Sequence, residues 1–156
     1  FHNPGLPMHT SPDSNLLMTL ALVAAFLYTV AALAAVVGAI AAVRYPFTCR
    51  ALERHSASPR PDFKTDEVAC KDWNKTRWAL DKVRLRTGLT SICTYAVGMV
   101  ALIPLQSILK SADPSSAPMV IMLVLTAALL TVGITSVFHN GRLSEIDMKR
   151  RFPSMS

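Results

Sequence analysis

Apolar and polar positions divide this chain into three long apolar blocks, one polar block between the first and second, and two polar ends. Leu16 to Val43, Gly88 to Leu109 and Pro118 to Phe138 contain no Asp, Glu, Lys, Arg or His. Roughly 20 apolar residues span the hydrocarbon core of a bilayer, and backbone in that setting must bond within its own helix. The blocks therefore predict three transmembrane helices. A soluble bundle is the competing class, but its helices would each carry a polar stripe for solvent, and none of the three blocks has a charged one.

The expected fold is an all-α integral membrane protein with an amphipathic helix preceding the second span. Residues 1–15 read as an extended segment, 16–43 as the first span, 44–87 as a basic loop, 88–109 as the second span, 110–117 as a short turn, 118–138 as the third span and 139–156 as a basic tail. Within the loop, Pro46, Pro59 and Pro61 mark 44–63 as irregular surface. Beyond it, Ala69, Trp73, Thr76, Leu80 and Val83 recur at spacings of three and four, predicting a helix over about 66–87 with Thr65 as its cap. No proline or glycine separates that helix from Gly88, so it is expected to run on into the second span, with Thr87, Thr90 and Thr94 extending its stripe. Such a helix is either an arm projecting towards a partner or an interfacial helix anchored by Trp73 and Trp78.

Within the first span, Ala31, Ala34, Ala35, Gly38 and Ala42 form small-residue faces that let membrane helices approach closely. They suit either a neighbouring subunit or this chain's own helices. Ser11 before Pro12 and Asp13 is a plausible start for that helix. Pro104 removes one backbone bond and predicts a kink near the end of the second span. Asn140 and Gly141 predict a left-handed stop to the third, followed by a short basic helix.

Charge fixes the expected orientation. Of 16 Lys and Arg residues, 11 lie between Arg44 and Arg86 and four after Phe138. Three spans put those two segments on one side, and the positive-inside rule makes it the inner side, with the N-terminus outside. The net charge of +6 would suit nucleic acid, but eight of the ten acids are interleaved with the basic residues, and anionic lipid explains the excess more simply. Lys71, Lys75, Lys82, Arg142, Lys149, Arg150 and Arg151 are the expected headgroup contacts. The chain begins at Phe1 rather than Met, for which a cleaved signal or transit peptide is one natural cause and a piece simply left off the other, and the proline-rich segment 1–15 has no fold of its own and is expected to clamp a partner.

Candidate chemistry is sparse. Cys49, Cys70 and Cys93 are isolated, with no spacing for zinc or iron–sulfur, and the Asn74–Lys75–Thr76 sequon falls on the inner side, where glycosylation is not expected. The spans hold no ionisable residue of the kind that marks transport paths, and no catalytic arrangement is recognisable. His139, where the third span ends, is the one candidate ligand for haem iron or chlorophyll magnesium. Its alternative role is capping that helix end. The expectation is an accessory, non-catalytic subunit of a multisubunit membrane complex, with other membrane subunits and anionic lipids as partners and no cofactor required. The inner mitochondrial membrane is favoured and the thylakoid is second. The other classes are a cofactor- or pigment-binding subunit and a small oligomeric channel or transporter.

Overall fold

A computed structural model describes residues 12–109 and 116–153, and every element in it is helical: α1 (Pro12–Ala57), α2 (Glu67–Leu109) and α3 (Ala117–Arg151). At 1.5 Å per residue these are rods of about 70, 65 and 50 Å, each longer than the roughly 30 Å of a bilayer core. All three are long and apolar enough to cross a membrane. The segment over 1–11 with Ser11, most of the 110–117 turn and the last three residues lie outside the described residues.

Buried positions recur every three or four residues along α1 from Ala31 to Ser56, and at that spacing or multiples of it on α2 and α3. On α1 they include Ala31, Ala35, Gly38, Ala42, Tyr45, Cys49, Leu52 and Ser56. On α2 the seam runs Cys70, Trp73, then Ser91, Gly98, Ala101 and Leu105, and on α3 it runs Pro118, Ile121, Leu125, Ala128, Val132 and His139. A mean spacing of 3.5 keeps one seam facing a partner helix, as in coiled coils. The stripe on α1 is wider, since Ala34 and Ala41 are buried beside it. That width follows from position: α1 packs on both other helices, which meet each other much less.

The small residues of α1 are thus occupied within the molecule. Ala31 and Ala35 share one core cluster with Ala101, Leu102, Leu105, Ile121 and Leu125, while Ala42 joins Tyr45, Cys49, Ala128 and Val132 in a second. Close approach is enforced by two glycines. A Cβ on Gly38 would lie 2.8 Å from the Thr94 hydroxyl, and one on Gly98 would collide with the Leu125 side chain. Outward surfaces are apolar instead of polar: in the most apolar stretch of each helix only 17, 22 and 22% of residues are buried in the bundle.

Several sequence expectations are corrected. Residues 44–57 are helix, not irregular surface, and α1 passes through Pro46. Proline there removes only the bond to the Ala42 carbonyl, and the buried run Tyr45, Cys49, Leu52 and Ser56 holds the helix on either side. The cap of α2 is Asp66 rather than Thr65, its Oδ1 accepting from the Ala69 amide at 2.9 Å. As expected, α2 runs unbroken from the loop into the second apolar block, and it also continues through Pro104 to Leu109. The stop at Asn140 and Gly141 does not occur. No described glycine has positive φ, and α3 continues to Arg151, held by contacts on its lower turns.

Candidate functional site

Below the apolar blocks the same seam turns polar, and the three helices meet through charged and aromatic side chains. Their anchor on α1 is Glu53, one turn after Cys49. His139 of α3, only 1% exposed, places Nδ1 2.8 Å from Glu53 Oε1. A carboxylate only accepts, so Nδ1 carries the hydrogen and donates. This leaves Nε2 facing the interior, with no hydrogen-bond partner among the described residues. Arg142, one turn lower and largely exposed, reaches Glu53 Oε2 at 3.5 Å.

On the α2 side, Arg84 is mostly buried and bridges two helices. It pairs with Asp81 at 2.8 Å and donates to Asn140 Oδ1 of α3 at 3.1 Å. Above it, Tyr45 fits against Gly88, where a Cβ would lie 3.2 Å from the ring. Burial pushes the Tyr45 hydroxyl above its ordinary value despite a hydrogen bond with Ser136, and burial likewise raises the Cys49 thiol. Both groups stay neutral around neutral pH.

Trp73 organises the lowest level. Its indole donates to Ser58 Oγ at 3.0 Å, and its carbonyl lies 2.9 Å from His55 Nε2, which fixes that nitrogen as the donor. The His55 ring stacks on the indole with centroids 4.9 Å apart. Arg60, Arg77 and Arg150 approach the same ring at 5.7, 5.7 and 5.0 Å, where guanidinium groups are attracted to the π face. Arg77 also pairs with Asp147 of α3, and Arg150 donates to the Ser56 and Ser58 carbonyls. One tryptophan thereby ties together the end of α1, the loop, α2 and α3.

The sequence-predicted residues divide accordingly. Trp73 is buried, Ala69 and Leu80 are half-buried, and Thr76 and Val83 are exposed, so the expected arm face is largely packed against α1 and α3. Arg150 is corrected from headgroup contact to internal ligand, because its guanidinium is spent on carbonyls and the indole. Lys71 and Lys149 are exposed and paired with Glu67 and Glu145, while Lys75, Lys82 and Arg151 are exposed. The expected role of His139 as a helix cap fails, because no helix ends there. Thr87 and Thr90 return their hydroxyls to the Val83 and Arg86 carbonyls, a bond that leaves little polarity to line a path.

Glu53, Tyr45, Arg84 and Gly98 were missed from sequence. The signal for Tyr45 was present in the seven-residue recurrence Gly38, Tyr45, Leu52 beside Ala35, Ala42, Cys49; Glu53 stands outside that recurrence. Chemically, the cluster is a set of cross-helix hydrogen bonds and ion pairs suited to fixing helix register, with Ser56 Oγ, Arg84 Nε and His139 Nε2 buried and without a hydrogen-bond partner among the described residues. No group of three or more His, Cys, Asp or Glu placed to hold a metal ion occurs among the described residues. Comparison of the chain with known families, curated proteins and solved structures found no match.

Proposed function

We propose that this chain is a membrane-spanning structural subunit whose inner ends form a rigid three-helix stalk. The observation that carries the reading is the division of labour along the rods: apolar side chains face outward along the spans, while below them Glu53 pairs with His139, Arg77 with Asp147 and Arg84 with Asn140 across the helices. From Arg44 to Ala57, α1 alone adds about 20 Å beyond the first apolar block. The basic excess favours the stalk on the inner side, and exposed Lys75, Lys82 and Arg151 suit anionic headgroups there. The outward apolar faces suit contact with other membrane helices, and an energy-transducing membrane of the mitochondrial or thylakoid type is the proposed setting.

The test is native-gel separation after mild-detergent extraction, with mass spectrometry of the band. Migration inside a larger assembly is expected, and migration alone or as a small homo-oligomer would sink the reading. One observation favours a second reading: Glu53 on Nδ1 and the uncommitted Nε2 of His139 reproduce the way carboxylates orient metal-binding histidines. A cofactor-carrying subunit would show a visible absorbance that His139→Ala abolishes.

A further inference from the structure

Between α2 and α3 lies a groove of about 610 Å³. Leu85, Leu89 and Ile92 form one wall and Leu130, Ile134 and Val137 the other, with Tyr45 of α1 contributing to the lining. All six wall residues are exposed. The groove is open at Gly133, where a Cβ would meet nothing within 4 Å. At its lower end the lining changes to Arg84 and Ser136. Lys82, three residues before Leu85, stands on the same face of α2 one turn lower and is exposed.

We infer that this groove holds one acyl chain of an anionic phospholipid from the inner leaflet, its headgroup resting at Lys82 and the rim of Arg84. Length selects this occupant. From Arg84 to Ile92 and from Leu129 to Val137 the walls rise about 12 Å, close to the roughly 15 Å of a single leaflet. A partner's transmembrane helix would need a groove of twice that depth. Polarity selects it too, because the charged end coincides with the lower limit of the charge-free blocks, where headgroups lie. The volume falls in the range of small-molecule sites, about 300–1,000 Å³.

This inference rests on the membrane reading, and the two can fail separately. If alkaline carbonate releases the chain from membranes without detergent, the membrane reading itself fails. For the groove, the full chain is placed in nanodiscs of phosphatidylcholine doped with phosphatidylglycerol, released gently and weighed by native mass spectrometry. Retained phosphatidylglycerol in preference to phosphatidylcholine is expected. Gly133→Trp should lower that retention at least tenfold with helicity by circular dichroism unchanged, since the site has room for a side chain but then none for a tail. Lys82→Glu should reduce the preference for the anionic lipid by about fivefold or more while leaving occupancy by phosphatidylcholine. Equal retention in Gly133→Trp, indifference to headgroup charge, or efficient disulfide dimerisation of Gly133→Cys would each overturn the inference, the last by giving the groove to a second copy.

Discussion

From Ala31 to Ala42, α1 meets its neighbours through alanine and glycine, whereas from Tyr45 to Ser56 it meets them through a phenol, a thiol, a carboxylate and an imidazole. Both stretches use the same three-and-four spacing. What differs is the force that makes the seam specific. Above, small residues bring backbones within dispersion range, the form of contact that serves where a lipid setting would offer no hydrophobic drive to associate. Below, directional bonds such as Glu53 to His139 and Arg84 to Asn140 set which residues lie opposite one another. Register is therefore encoded by shape in one half and by hydrogen bonding in the other.

Substitutions can break this contrast. Gly98→Leu attacks the upper half where space is already taken by Leu125, and should cost about 3 kcal/mol or prevent folding, measured by denaturant unfolding in micelles. Glu53→Leu attacks the lower half by stranding the buried Nδ1 hydrogen of His139, and a loss of about 2 kcal/mol is expected. Glu53→Gln should lose less, because its amide oxygen still accepts. If Glu53→Leu proves neutral, hydrogen bonding does not hold the lower half. Gly38→Ala should cost about 1 kcal/mol through the Thr94 hydroxyl, and the double variant with Thr94→Ala should recover most of it. Failure to couple would place the strain elsewhere.

The smallest effect concerns acidity. Tyr45 and Cys49 are both raised by burial, so folding favours their neutral forms. Their contribution to stability is complete below the ordinary values of 9.0 for the thiol and 10.0 for the phenol, and it is lost as pH rises through and above them. A melting temperature that falls from about pH 9 is expected, and Cys49→Ser with Tyr45→Phe should flatten that fall.

The sequence made the upper half legible because absence of charge over 20 or more residues is a strong, local signal. Continuity of α2 was legible for the same local reason: nothing between Glu67 and Gly88 breaks a helix. The lower half departs from the sequence expectation at Pro46 and at Asn140–Gly141, residue types that cost a helix interior about 3 kcal/mol for proline and 1 for glycine. Tertiary packing outweighs those costs here. Tyr45, Cys49, Leu52 and Ser56 flank the proline with buried contacts, and His139, Asp147 and Arg150 anchor α3 on either side of the glycine. The Glu53–His139 pair joins residues 86 positions apart, which no local pattern announces. Trp73 was picked out as an apolar stripe residue, but its role as the meeting point of three arginines needed the fold.

Placing every described ion pair beyond the charge-free blocks bears on how such a protein is made. In a bilayer, no paired carboxylate or guanidinium would have to be carried through hydrocarbon for the bundle to close. On the proposed membrane reading, each charge-free block would insert alone as a neutral cylinder, and the partners of Glu53, Arg77 and Trp73 would find one another afterwards in water. Biogenesis would then separate into an insertion stage governed by lipid and a locking stage governed by the aqueous ends.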